Sequence, residues 1–256
     1  MEEVSATPQR RPEVAARSET GPVRRENEDS CLVSDLEEDE WIFAVADGVG
    51  GHARGKEASS TTLRLLEERL RESAPELSME EAQNLLREAL VDINKCIREK
   101  NTGKSGRERM GTTLTAVWKR GKDLLVAQVG DSRLYCFFND RLQRLTVDQT
   151  EAGERFAVGE ISEEEERRYP GRNVIRQAVG IPGEKFQPVL QLEELVPGAT
   201  YLLCSDGLTG GLWDREIEDA LRNEEGQDLT SLAEGLLLQS LRNFGKDNTT
   251  LVLFRF

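Results

Sequence analysis

WIFAVADGVGGHARGKE (residues 41–57) runs from an apolar strand into a glycine-rich turn and then into a helical pattern. Two architectures compete for it. Read from Gly50, the segment Gly50-Gly51-His52-Ala53-Arg54-Gly55-Lys56 fits G-x-x-x-x-G-K, the loop that cradles nucleotide phosphates in parallel α/β sheets. Read from Asp47, it is a strand that delivers a carboxylate to its end. The first reading fails at Glu57. A nucleotide loop needs a Ser or Thr hydroxyl there for Mg²⁺, and a carboxylate would lie beside the phosphates.

Outward from this segment, the rest of the chain favours the second reading. The runs DSCLVSD (29–35), WIFAVA (41–46), TTLTAVWK (112–119), DLLVAQVG (123–130), RLYCFFN (133–139), ATYLLCS (199–205) and TTLVLFRF (249–256) are strand-like. They are rich in β-branched, leucine and aromatic residues and are bounded by turn residues. Helical spacing of apolar residues covers 56–73, 79–100, 214–223 and 228–243, in two pairs. Strands in neighbouring runs, with helices in blocks, predict antiparallel sheets covered by helix pairs and not βαβ alternation. The expected architecture is a layered α+β domain over 21–256. Residues 1–20, polar and carrying two prolines, are expected to form a disordered tail.

Reading the aspartates as strand ends has a chemical consequence. Asp47 ends one apolar run, Asp131 follows DLLVAQVG, Asp206 follows TYLLCS and Asp247 precedes TTLVLF. Glu28 and Asp29 stand at the mouth of DSCLVSD. Each alone is explained by turn chemistry. Together, strands sharing one core would bring these carboxylates close, where they repel and raise one another's pKa values. Hard cations remove that cost. An oxygen-only set, in a chain whose single histidine is His52, favours Mg²⁺ or Mn²⁺ over zinc. Gly48, Gly130 and Gly207, beside three of the aspartates, are expected to let backbone approach an ion or its waters.

The formal net charge of −14 argues against a broad nucleic-acid-binding face, which needs clustered Lys and Arg. Cys31, Cys96, Cys136 and Cys204 are dispersed and are expected to be buried, reduced thiols. No apolar leader opens the sequence and no run is long enough to span a membrane, so a cytoplasmic location without a membrane partner is expected.

Eight segments then follow in a telling order: GPVRRENEDS, FAVADGVGGHARGKEAS, MGTTLTAV, VGDSRLYCF, LTVDQT, YPGRNVIRQAVG, LLCSDGLTGGL and GKDNTTLVLF. Over nearly all of 21–256 the chain resembles the metal-dependent protein phosphatase family (type 2C, PPM), especially its bacterial branch. The resemblance implies a four-layer α-β-β-α sandwich, two antiparallel β-sheets flanked by helix pairs. It implies a serine/threonine protein phosphatase that hydrolyses phosphoserine and phosphothreonine by attack of a hydroxide bridging two Mn²⁺ or Mg²⁺ ions. Carried across residue by residue, Asp47 bridges both cations, and the Gly48 carbonyl completes one of them. Asp206 and Asp247 hold the first metal, and Glu28 and Asp29 serve the second, directly or through water. Asp131, with Asp206, helps hold a third, weaker cation. Arg24 clamps the substrate phosphate, Arg25 is a surface charge, and Lys56 belongs to the surface of the following helix.

Two positions depart from the family's pattern. Val49 stands where many eukaryotic members have a proton-donating histidine, and Asp148-Gln149 replaces the usual Asp-His. The general acid is left open between His52 and a metal-bound water. Segment 157–170 matches the variable flap, its glutamates either a solvated helix face or an aid to substrate choice. The partners implied are phosphorylated proteins, opposed by a serine/threonine kinase in signal transduction, with the phosphatase monomeric. The rival reading is a pseudophosphatase that binds without turnover. That rival predicts lost metal ligands, and Asp47, Asp206 and Asp247 are all present.

Overall fold

The computed structural model describes residues 11–37, 39–50, 53–73, 77–180, 186–223 and 228–256. His52, one of the expected site residues, and Gly51 beside it lie outside the described residues. The strands are β1 (Glu13–Glu19), β2 (Ser30–Glu37), β3 (Glu40–Ala46), β4 (Gly48–Gly50), β5 (Met110–Thr112) and β6 (Leu114–Arg120). They continue with β7 (Asp123–Val129), β8 (Arg133–Phe138), β9 (Arg141–Arg144), β10 (Val189–Glu194), β11 (Thr200–Cys204) and β12 (Thr249–Arg255). The α-helices are α1 (Ala53–Arg71), α2 (Met79–Lys100), α3 (Glu151–Ala157), α4 (Glu163–Arg168), α5 (Asp206–Gly211), α6 (Asp214–Arg222) and α7 (Leu229–Asn243). Among the described residues no helix is long and apolar enough to cross a membrane.

Two antiparallel sheets, ordered β1-β12-β11-β8-β9 and β10-β7-β6-β3-β2, form the centre. The inner strands β3, β6, β7, β11 and β12 alternate their side chains between two buried faces, which is why they read as continuous apolar runs. On β3, Phe43 and Val45 enter the core between the sheets with Val117, Leu203 and Val252. Ile42 and Ala44 on the same strand face Leu66 of α1 and Leu90 of α2. On the far side, Leu251 and Leu253 of β12 pack with Ile217 of α6 and Leu236 of α7. The Phe43 and Phe254 rings stack across the two sheets with centroids 4.0 Å apart. The result is the expected four-layer α-β-β-α sandwich.

Gly48–Gly50 pair as β4 with β5, so their backbone is committed to a ladder and not to an open nest of N–H groups. At the N-terminus, the expected tail of 1–20 is corrected in part. Glu13–Glu19 pair antiparallel with β12 as an edge strand. Its sequence EVAARSE escapes notice because small alanines do the inward packing: Ala15 joins the core beneath α7, and Val14 and Ala16 flank the core between the sheets. Residues 1–10 lie outside the described residues.

Antiparallel pairing explains why the acidic residues meet. Ser30, which opens β2, is registered with Ala46, which ends β3, so Asp29 and Asp47 share one edge. Cys204, ending β11, is registered with Leu251 of β12, which brings Asp206 beside the start of β12 and Asp247. Stacking the two sheets puts both pairs at the same end of the sandwich.

Candidate active site

A cleft of about 290 Å³ opens at that end, and Arg24, Glu28, Asp47, Asp131, Asp206 and Asp247 all line it. Asp29 lies behind them, 1% exposed. The structure thus brings together every described carboxylate expected at the site, from five separate parts of the chain. Arg25 is exposed and does not line the cleft.

The electrostatics are those of crowded carboxyls. Burial, and then the charges of Asp29, Asp206 and Asp131, pushes the Asp47 carboxyl well above its ordinary value. Asp29 is raised to about 7, chiefly by burial and against a hydrogen bond from Ser205, with Asp206 and Asp247 adding repulsion. Asp206 is raised to about 6 by burial and by Asp247, a hydrogen bond with Asp47 opposing the rise. Asp131 is held well up by burial and by Asp206 and Asp148, with Arg133 pulling the other way. Arg24 is the local counter-charge: its Nη2 lies 2.8 Å from Asp247 Oδ2. Partial burial works against the Arg24 charge, but Asp247, Asp47 and Glu28 outweigh it and raise its pKa.

Side chains the sequence reading quoted but did not assign hold this cluster in place. Thr113 Oγ1 accepts from the Asp47 N–H at 2.9 Å, while Thr113 N and Thr112 Oγ1 donate to the Asp47 carbonyl at 2.8 and 2.9 Å. The aspartate backbone is gripped at both ends. Asn248 ties the Arg24–Glu28 loop to the start of β12, its Oδ1 accepting from Glu28 N at 2.9 Å and its Nδ2 donating to the carbonyls of Thr20 and Glu26. Ser205 Oγ donates to Asp29 Oδ2 at 2.7 Å. In KDN and CSD an amide or a hydroxyl sits beside the aspartate, but nothing within MGTTLTAV points to Asp47.

Lys56 is exposed on α1, as expected, and its Nζ donates to the Asp29 carbonyl and, at 3.1 Å, to Ser30 Oγ. Gly48 also lets neighbouring backbone pass closely: a methyl there would come within 2.7 Å of the Glu28 carbonyl oxygen and closer still to the Gly55 backbone. Gly207 likewise packs against the Asn248 carbonyl. Finally, the glutamates of 157–170 are not one solvated face. Glu166 is buried, 3.2 Å from Arg144 and 3.5 Å from Arg133, and Glu163 accepts from Asp214 N at 3.0 Å. Arg133 and Arg144 also pair with Asp148. Gln149, in the position of the missing histidine, accepts from Gly130 N at 2.6 Å, next to Asp131. All four cysteines are free; Cys136 and Cys204 are buried, and Cys31 and Cys96 partly so.

Divalent cations fit these residues. Oδ1 of Asp29 and Oδ1 of Asp206 are buried with no hydrogen-bond partner among the described residues, and a buried carboxylate oxygen without a partner is costly. The donors are all oxygens, the set that hard cations prefer. Among the described residues no three carboxyl groups already close on one point in a metal-holding geometry. Carboxylates that do not close on one point by themselves suit a cation such as Mg²⁺, which keeps several of its waters.

The comparisons agree with this geometry. The protein phosphatase 2C family profile matches residues 24–244. The serine/threonine phosphatase stp of Listeria welshimeri is 34% identical over 237 residues, covering 93% of each chain. The structure of serine/threonine phosphatase Stp1 from Staphylococcus aureus superposes with a TM-score of 0.86 at 28% identity, covering 100% of this chain and 99% of that one. The catalytic domain of serine threonine protein phosphatase PstP, solved in complex with two manganese ions, gives a TM-score of 0.78 at 31% identity, covering 95% and 97%. Carboxylates gathered at one end of a double antiparallel sheet, a profile that spans most of the sequence and relatives alike over their whole fold lead to one assignment: this chain belongs to the protein phosphatase 2C family.

Proposed function

We propose that this protein is a divalent-metal-dependent phosphatase acting on phosphoserine and phosphothreonine in proteins. The observation that carries the reading is the convergence of Asp47, Asp206, Asp247, Asp131 and Glu28 on one cleft that Arg24 also lines. Crowding so many acids destabilises a fold unless a cation offsets the repulsion, so their retention points to function.

Asp47, Asp206 and Asp247 would hold one Mn²⁺ or Mg²⁺, and the Gly48 carbonyl would complete one of the two cations that Asp47 meets. Asp47, Glu28 and Asp29 would hold a second, and Asp131 with Asp206 a third, weaker one. Bound there, the cations supply Lewis-acid polarisation and a nucleophile of hydroxide strength near neutral pH. The chain's own residues do the rest. Thr112, Thr113 and Asn248 fix the carboxylates' backbones, so the site is preorganised before substrate arrives. Arg24 swings from Asp247 to the incoming phosphate, where a planar guanidinium holds two oxygens at once. The serine or threonine alkoxide leaves and takes a proton from His52 or from water. Val49 lines the cleft and carries no proton, which leaves that choice open. His52→Ala separates the two sources, because a serine alkoxide needs the proton far more than nitrophenolate does.

The substrates, on this reading, are proteins phosphorylated by an opposing serine/threonine kinase, met as a monomer in the cytoplasm. Four free thiols support a reducing compartment. The test is phosphate release from a phosphoserine peptide with Mn²⁺ and with EDTA. Release that depends on the metal supports the reading; binding of the peptide without release in any divalent metal would favour the pseudophosphatase instead.

A further inference from the structure

Asp206 is the first residue of α5, a helix of only six residues. So short a helix does not hold its own shape in water, and its direction is set by whatever satisfies its carbonyls. Those partners can be named one by one. The carbonyls of Gly207 and Leu208 accept from Ser240 Oγ at 2.8 and 3.1 Å, and that of Gly211 accepts from Asn243 Nδ2 at 2.9 Å. Both donors lie on α7. The Asp206 carbonyl accepts from Thr209 Oγ1 at 3.3 Å within the helix, and the carbonyls of Thr209, Gly210 and, just past the helix end, Leu212 accept from one guanidinium, Arg167, at 2.6, 2.9 and 2.6 Å.

Arg167 belongs to α4, inside the 157–170 segment. It forms no ion pair among the described residues; its charge meets the carbonyl end of α5, where cations are favoured, and its guanidinium lies 4.2 Å over the Trp213 ring. The neighbours that fix α4 are already paired elsewhere, Glu166 to Arg144 and Glu163 to the N–H of Asp214. Arg167 is therefore the direct fastening between α4 and the helix that carries Asp206.

We propose that Arg167 is a positioning residue for the Asp206 carboxylate, and that cation binding at Asp206 and docking of α4 are coupled through it. The proposal rests on the reading of Asp206 as a metal ligand. Coupling of this kind is reciprocal: if α4 holds Asp206 for the cation, the cation holds α4 against its bed.

The test uses the full chain, stripped of metal, with Mn²⁺ titrated by calorimetry and exchange of the α4 amides followed with and without Mn²⁺. Arg167→Met should weaken Mn²⁺ binding about tenfold, about 1.4 kcal/mol. Arg167→Lys, which keeps the charge with fewer donors, should recover part of the loss. Arg168→Met, which removes only the exposed ion pair to Glu164, should bind Mn²⁺ as the wild type does. Mn²⁺ should slow exchange over 163–168 in the wild type and lose that effect in Arg167→Met. If Arg167→Met does not fold, Arg167→Lys carries the test, with a weakening of about threefold expected. Wild-type Mn²⁺ affinity in the variant, even with a lowered melting temperature, overturns the proposal, as does α4 exchange indifferent to Mn²⁺. A wild-type chain that binds no Mn²⁺ removes the reading of Asp206 as a ligand and the proposal with it.

Discussion

Replacing Asp206 by Asn should make the metal-free protein more stable while it abolishes catalysis. The Asp206 carboxyl is raised from 3.8 to about 6 by burial and by Asp247. The folded state therefore holds a proton that the unfolded chain gives up between pH 4 and 6, and stability falls as pH rises through that window. At pH 7.5 the acid is ionised in both states, and the fold bears the full cost, about 3 kcal/mol. Asparagine carries no charge and can donate to Asp47, although its amide stays partly buried without further partners. A net gain of about 2 kcal/mol in EDTA follows, which for a chain of this size is a rise of about 4–8 °C in melting temperature. Urea unfolding in EDTA at pH 7.5 and pH 4.5 measures it. The gain should shrink at the lower pH, where the wild-type carboxyl is already protonated. Turnover with saturating Mn²⁺ should drop by about 10³, equivalent to about 4 kcal/mol in the transition state. A variant less stable than the wild type at pH 7.5, or a gain equal at both pH values, would refute the claim that repulsion at this site is held for function.

Three further outcomes follow from the same geometry. Gly207→Ala drives a methyl into the Asn248 carbonyl, so the Asp206 and Asp247 segments must part; a loss of about 1–3 kcal/mol in urea unfolding is expected, together with weaker Mn²⁺ binding, and unchanged Mn²⁺ affinity would show that their spacing does not matter. Arg24→Ala removes the cation that pairs with Asp247, so Mn²⁺ should bind as well as before or better while KM for a phosphopeptide rises about tenfold or more; loss of metal binding would contradict the clamp role. With Asp29 raised to about 7 and Asp206 to about 6, the folded metal-free protein binds more protons than the unfolded chain between pH 4 and 7. Its stability in EDTA should accordingly decline across that range, and Mn²⁺ affinity should climb as the protons leave; a Mn²⁺ affinity flat from pH 5 to 8 would contradict the assignment.

The parts of the fold legible in the sequence are those where both faces of a strand are buried. WIFAVA and TTLVLF stand out because Ile42 and Leu251 face helices while Phe43 and Val252 face the opposite sheet. β1 was not legible, since an edge strand with alanines in place of larger residues resembles a polar tail. The acidic ligands were visible as aspartates at strand ends, because antiparallel register turns a position along the chain into a position in space. Their supports were harder to read. Nothing local says that Asn248 reaches back to Glu28, 220 residues away, or that Thr113 grips Asp47. The flap misled for a related reason. A run of four glutamates looks solvated, yet Glu166 is buried because Arg133 and Arg144, distant in sequence, already stand there with Asp148.

The most direct measurement is anomalous diffraction at the manganese edge from crystals grown with Mn²⁺. The account predicts one ion between Asp47, Asp206 and Asp247 and a second between Asp47 and the Glu28–Asp29 pair, with both peaks lost in EDTA. Manganese bound elsewhere, or a cleft without manganese in crystals whose protein hydrolyses phosphoserine peptide, would contradict it.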